Sequence, residues 1–311
     1  MRFTRPSVRL PERRHPVEKP TLTSTLKALL YLAPALAVLI TFTVYPILQS
    51  LLLSFYADYD YFRDIVYRYG LDNYRFLLQD PDFHLALRNT AIFVLGVVPA
   101  SIALSLAVAF LLNSRIRLRA FFRTVYFIPT VTSIVAVAIV WRWIFHSDYG
   151  LMNYVLSLFG ISPIHWLTDP KWALPSLILF SIWKSLGYNI VLFLAGLASI
   201  PETYHQAARI DQASAWSRFW HITFPLLSPT TFFVSIVSII GAFKVFDEVY
   251  ALFGGSPGPL KSALTLVYYI YLKFYREQDY AVASAAAYVL FLITFVFTLI
   301  QLYIGKKRVH Y

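Results

Sequence analysis

The chain is 311 residues long, 58% hydrophobic and only 14% charged, with a formal net charge of +11 and a mean hydropathy of +0.60. A soluble domain is about half apolar and about a quarter charged, so this composition excludes one and points to lipid as the main solvent. Cysteine is absent, which excludes disulfides and thiolate metal sites, and no base-stacking module accompanies the basic residues, which excludes nucleic acid as a partner.

In chain order, residues 1–27 are a Pro- and Arg-rich basic tail, suited to a cytoplasmic arm or to anionic lipid headgroups. The uncharged run from Ala28 to Phe55 is far longer than the about 7–15 residues of a signal peptide's apolar core. It reads as a signal anchor and first transmembrane helix (28–55), with Pro34 and Pro46 available to kink it. Residues 56–88, rich in Tyr and Asp, are expected to form a solvated, partly helical external segment. Their Asp spacing is not that of a calcium-binding EF-hand loop.

Residues 89–305 hold five further apolar runs: Asn89–Leu112, Thr124–Trp141, Trp172–Ala198, Ile222–Phe243 and Tyr280–Ile304. Each reaches or approaches the about 20 residues that cross a bilayer as a helix. Period-two alternation is missing, so strands are not expected. The fold class is therefore an all-α integral membrane protein with six transmembrane helices. Asn113–Phe122 is a short basic turn, and Pro129 can break the third span where neighbouring helices re-satisfy the backbone. Trp141, Arg142 and Trp143 resemble an interfacial belt. Asp148–Lys171 is an external connection with Gly150, Asn153 and Gly160 as turn formers.

The fourth span carries Trp183, Lys184, Tyr188 and Asn189. A Lys at this depth must face the protein interior or a water-filled cavity; it either lines a pathway or pairs structurally with Asp247, Glu248 or another subunit. Tyr188 and Asn189 can bond a polyhydroxylated solute or simply pack between helices. At the end of the fifth span, Phe243, Lys244, Phe246, Asp247, Glu248 and Tyr250 combine rings and carboxylates. That mixture suits sugar recognition and equally suits an interface anchor. The Gly/Pro run after it is a turn cluster and not a nucleotide loop, because no Gly-Lys-Ser/Thr follows. The sixth span opens with small residues, Ala281 to Ala287, that permit close helix contact. Residues 306–311 are a basic C-terminal tail.

Between the fourth and fifth spans, residues 199–225 form an amphipathic segment. Ser199, Pro201 and Glu202 read as a capping-box helix start, with Tyr204, Ala207, Ala208 and Asp211 on neighbouring faces. Ser214 is placed to cap a second helix carrying Trp216, Phe219 and Trp220, which Pro225 would end. A bare connection does not need a helix pair, so this is read as a docking element. His205 and His221 are docking-surface or packing residues in it. Sixteen Lys and Arg lie on the side of the two termini and the helix pair, against nine on the other, so that side is expected to be cytoplasmic.

The run Gln206-Ala-Ala-Arg-Ile-Asp-Gln-Ala213, continuing to Phe219, Ile222 and Pro225, resembles the cytoplasmic signature of permease subunits of binding-protein-dependent ABC importers. That signature begins Glu-Ala-Ala, has Asp-Gly a few residues on, and ends in Ile and Leu-Pro. Trp183-Lys184, Gly187, Ala195-Gly196-Leu197, Ile200-Pro201, Phe246-Asp247, Gly254-Gly255, Asn89-Thr90, Arg123, Pro129 and Gly150 resemble the sugar-importing branch, the maltose, trehalose and glycerol-phosphate type. The resemblance implies a non-enzymatic inner-membrane subunit paired with a second permease, and two cytoplasmic ATPase subunits that hold ATP and Mg. It also implies an extracytoplasmic solute-binding protein and a sugar as cargo. The coupling role falls on Tyr204, Gln206, Ala207, Ala208, Arg209, Asp211, Gln212, Ala213, Phe219, Ile222 and Pro225. The solute path falls on the polar and aromatic residues of the fourth and fifth spans named above. Alternatives are a polyol, glycerophosphate or amino-acid importer, or an ATP-independent secondary transporter. The secondary transporter would need carboxylates inside spans, where this chain has them only in tails, loops and span ends. Two positions depart from the signature: Gln206 stands where the family has Glu, and Gln212 where it has Gly.

Overall fold

A computed structural model describes residues 22–60, 63, 65–113 and 119–308. The basic arm up to residue 21, the middle of the basic turn (114–118) and the last tail residues (309–311) lie outside the described residues. The chain divides into two compact units, one up to Ser50 and one from Leu51 onward.

The first span comprises α1 (Leu22–Leu39), a π turn at Ile40–Val44 and α2 (Tyr45–Leu53). Thr25–Leu53 is long and apolar enough to cross a membrane. The π turn directly precedes Pro46. Proline has no N–H to donate and its ring crowds the carbonyl four residues back, and a widened turn takes up that misfit.

From Tyr56 the structure overturns one expectation. Strands β1 (Tyr56–Asp60) and β2 (Ile65–Tyr69) pair antiparallel. Register irregularities between Tyr56 and Asp58 and between Asp58 and Tyr59 break the period-two pattern, which is why the sequence does not read as a strand there. Helix α3 (Asp72–Gln79) follows. It is tied back by Asn73 Nδ2, which donates to the carbonyls of Ser54 (3.0 Å) and Tyr56 (2.9 Å).

Helix α4 (Pro81–Asn113) starts eight residues before the apolar run does. Asp80 Oδ1 accepts from the Asp82 N–H at 2.9 Å, and Pro81 takes the first helical position, so the Asp-Pro pair is the start signal. The third span is not one rod: α5 (Arg119–Val131) and α6 (Ile134–Ile144) meet at 112°. The break falls at Thr132 and Ser133, just beyond Pro129. Trp141 is not a belt residue, since it packs on Phe145, Phe180 and Trp183. After α7 (Leu151–Ser157), Asn153 proves to be an interior hub, not a turn former. It donates to the carbonyls of Ser147 and Ile164 and accepts from Ile164 N–H and Trp166 Nε1–H.

Helix α8 (Pro170–Ala198) is capped by Asp169, which accepts from the Lys171 N–H. Helices α9 (Glu202–Ile210) and α10 (Ala215–Arg218) form the predicted pair. A π turn (Phe219–Thr223), α11 (Phe224–Leu226) and α12 (Ser228–Phe243) follow, with a 63° bend between Leu226 and Ser228. Then come α13 (Asp247–Leu252), α14 (Leu266–Tyr271), a π turn (Leu272–Arg276) and α15 (Tyr280–Arg308). Four helices pass as straight spans, and counting each bent pair as one span makes six.

In the second unit α4 and α8 pack against each other most extensively, with α5, α12, α14 and α15 around them. Phe93, Phe180, Phe193, Tyr268 and Tyr269 are fully buried there. The small residues Ala281, Ala283, Ser284, Ala285 and Ala286 are buried within this chain, so the close approach they allow is to its own helices. Beside the core, Asp80 Oδ2 accepts from Tyr269 OH at 2.7 Å and lies 3.6 Å from Lys273 Nζ. These contacts clamp the start of α4 to α14.

Candidate functional site

The helix pair is built from local signals. Ser214 caps α10 as its sequence implies, its Oγ accepting from the Ser217 N–H at 3.2 Å. Ser199 does not cap α9: it sits at the C-terminus of α8, where its Oγ donates to the Gly196 carbonyl at 2.7 Å. Pro201 is the residue before α9 and supplies no side-chain cap. Pro225 does not end the second helix either. The π turn at Phe219–Thr223 absorbs the proline, and the chain stays helical to Leu226.

Between the two helices, Gln212 adopts φ +57°. The Ala213 N–H reaches back to the Ala208 carbonyl (2.9 Å) and the Gln212 N–H to the Arg209 carbonyl (3.1 Å), a Schellman closure. The turn therefore has the left-handed residue that glycine would fill without strain, at the position where the resembling signature carries Gly.

In α9 only Ala208 is buried; Tyr204, Gln206, Ala207, Arg209 and the adjoining Asp211 and Gln212 are exposed. Ala213, Phe219, Ile222 and Pro225 are half-buried on the inner side. Phe219 packs on Phe110 of α4 at 4.9 Å, fixing the pair to the end of a span. Two apolar side chains that the signature does not contain stand out from this surface: Ile210 is 82% exposed and Trp216 71%. Large apolar side chains left exposed on a surface segment suit a contact with a protein or a membrane. Their signal in the sequence is an Ile and a Trp in a short segment outside the apolar runs, which also exposes Tyr204 and Trp220. Between α9, α10 and the end of α4 lies an open cleft of about 820 Å³, lined by Asn113, His205, Gln206, Arg209, Arg218 and Phe219 among others.

A second cleft, about 280 Å³, lies between α4, α5, α8, α12 and α13. Lys184 Nζ donates to Glu248 Oε1 at 3.1 Å across it, and Tyr188 lines it. The ion pair resolves which carboxylate faces the lysine: Glu248, not Asp247. Trp183, Phe243 and Phe246 belong instead to aromatic packing, on Trp141, Phe297 and Tyr268 respectively. Asn189 is buried, and Lys244, Asp247 and Tyr250 point outside this cleft. The remaining polar lining was not singled out from the sequence: Ser101, Thr130, Ser181, Ser185 and Ser238. Ser181 Oγ and Thr130 Oγ1 are buried with no hydrogen-bond partner among the described residues. Ser181, Lys184, Ser185 and Tyr188 follow three- and four-residue spacing, a polar stripe on an apolar span that could have revealed them.

Residues 92–310 match the family described as "Binding-protein-dependent transport system inner membrane component". The lactose transport system permease protein LacF of Rhizobium radiobacter is 39% identical over 284 residues, covering 90% of this chain and 94% of its own. The trehalose/maltose transport system permease protein MalF of Thermococcus litoralis is 32% identical over 279 residues, covering 90% and 93%. A crystal structure of a bacterial ABC transporter that imports the acidic polysaccharide alginate contains a chain that superposes with a TM-score of 0.77 at 25% identity, covering 91% of this chain and 96% of that one.

Proposed function

The chain belongs to the binding-protein-dependent transport system inner membrane component family, and from that premise we propose that it is the permease subunit of an ABC importer for a sugar or oligosaccharide. It is an inner-membrane protein whose spans form part of the solute path. The observation that carries the coupling role is the exposed α9–α10 pair, closed by a Schellman turn at Gln212 and presenting Ile210 and Trp216. A rigid pair with a protruding apolar edge suits a cleft on an ATPase subunit. Closure of two such subunits around ATP and Mg would draw the pair inward and re-orient α4, to which Phe219 fixes it. The lysine and arginine distribution supports a cytoplasmic face for this pair and for both termini.

Cargo would pass the cleft at Lys184 and Glu248. A lysine, a carboxylate, several hydroxyls and the Tyr188 ring offer both donors and acceptors to a polyol surface. A second permease, an extracytoplasmic solute-binding protein and surrounding lipid complete the assembly in this reading, with no ATP chemistry on this chain. Relatives are named for lactose, trehalose/maltose and arabinooligosaccharides, which supports a sugar over an amino acid. Reconstitution with the partner permease, ATPase subunits and binding protein should give sugar-dependent ATP hydrolysis and uptake. Uptake that proceeds at full rate without the ATPase subunits sinks the reading.

A further inference from the structure

The cleft beneath the helix pair combines residues given a coupling role, Arg209 among them, with an arginine given none, Arg218. Arg218 is half-buried on its wall and makes no ion pair among the described residues. Arg209, which lines the same cleft, has only a long contact to Glu202 (3.6 Å), with both side chains well exposed. A pair so solvated contributes little and leaves the guanidinium open to a better partner. His205 and Asn113 add polar groups, while Phe110 and Phe219, in contact at 4.9 Å, form an apolar wall. Glu202 balances one of the two arginines, so among the described residues the charge of Arg218 in the cleft has no counter-charge.

We propose that this cleft binds a phosphate ester anion, held by Arg218 and Arg209 between the helix pair and the end of α4. Guanidinium groups bond phosphate oxygens through a planar fork, which a half-buried arginine with no carboxylate partner leaves free. The cleft adjoins the last turn of a membrane-crossing helix. Basic pockets in that place on the cytoplasmic side take up phospholipid headgroups, and an apolar wall accommodates the glycerol and first acyl carbons. The anion would bridge the coupling pair to α4, so its occupancy would stiffen the link through which motion passes. The placement rests on the cytoplasmic assignment of the helix pair; the binding does not require transport.

The test uses the assembled transporter in nanodiscs of phosphatidylcholine, with and without phosphatidylglycerol. Native mass spectrometry reads retained lipid, and isothermal titration with inorganic phosphate reads the free anion. The wild type should retain phosphatidylglycerol over phosphatidylcholine or bind inorganic phosphate, and Arg218→Gln should weaken that binding about tenfold. Arg218→Lys should restore part of it. Retention of lipid undisturbed by millimolar phosphate identifies a headgroup; phosphate binding without lipid enrichment identifies a free ester. Equal binding by wild type and Arg218→Gln, or none by the wild type, overturns the proposal. Co-purification of the ATPase subunits checks that Arg218→Gln folds. A transporter that binds phosphate but shows no sugar-stimulated ATPase would separate this inference from the transport reading.

Discussion

Lys184 of α8 and Glu248 of α13 are joined by an ion pair of 3.1 Å across the membrane-level cleft, each side chain about a quarter exposed. They are 64 residues apart in sequence, and among the described residues the pair is the one charged link between the fourth span and the helix that follows the fifth. Lys184→Met or Glu248→Gln alone strands a charge in a poorly solvated place, which costs about 2 kcal/mol. The double variant removes both charges and should lose less than either single one. Thermal midpoints of the assembled transporter check this, and a double-variant loss equal to the sum of the singles rejects it.

Gln212 holds φ +57° in the turn between α9 and α10. A non-glycine residue there costs about 1–2 kcal/mol, offset in part by the extra unfolded-state freedom that glycine brings. Gln212→Gly should therefore leave the pair equal or firmer by about 0.5–1 kcal/mol, whereas Gln212→Val should loosen it. Combined with Gln206→Glu, which restores a charged acceptor on the same face, it should tighten the coupling of ATP hydrolysis to sugar. The measurement is sugar-stimulated over basal ATPase rate, and an unchanged ratio with unchanged assembly speaks against the idea.

Lipid makes part of this fold easy to read. A span must be about 20 residues long and nearly uncharged, so six apolar runs are visible without any alignment. The cap of α10 is legible because Ser214 acts on its own neighbours. What escaped is geometry that residue types alone do not fix. Ser199 carries a cap signature, yet α8 extends to meet it and its hydroxyl turns back to Gly196. The hairpin at Tyr56–Tyr69 hides behind irregular register, whereas Pro129 marks the break in the third span and leaves only its 112° angle unread. Of the cleft, Lys184 announces itself because charge is rare in lipid, whereas Ser181 and Thr130 look like ordinary helix residues until α5 and α8 are brought together.

The clamp at Asp80 gives a pH dependence with a definite sign. Burial pulls the Asp80 pKa upward, but the hydrogen bonds from Tyr269 OH and the Asp82 N–H and the charge of Lys273 outweigh it and hold it below 3.8. Burial pulls Lys273 down, and Glu277 and Asp80 more than compensate, holding it above 10.5. A depressed carboxylate stabilises the fold above its unfolded value and loses that contribution as pH falls through the folded one. A raised lysine stabilises below its unfolded value and loses that contribution as pH rises through the folded one. The contact between α4 and α14 should thus be flat through neutral pH and weaken at both extremes. Asp80→Asn should flatten the acid limb, read as the thermal midpoint against pH. An acid limb of undiminished slope in that variant would falsify the assignment.

Gly187 marks where α5 and α8 approach backbone to backbone. A Cβ added there would lie 2.1 Å from the Tyr126 carbonyl oxygen and 2.6 Å from Thr130 Oγ1. The first of these atoms belongs to the main chain and cannot swing aside, so Gly187→Ala must push the helices apart. Overpacking of this kind costs about 1–3 kcal/mol. The displaced helix carries Thr130, which lines the same cleft as Lys184 and Tyr188, so the effect should reach transport as well as stability. Gly241→Ala is the control for stability alone, because a Cβ there meets nothing within 4 Å, while the residue itself lines the cleft. Sugar uptake by the reconstituted transporter should fall severalfold in Gly187→Ala, and the thermal midpoint should drop in Gly187→Ala and hold in Gly241→Ala. Equal behaviour of the two alanines would mean that the α5–α8 contact is slack and that steric pressure at Gly187 does not set the width of the cleft.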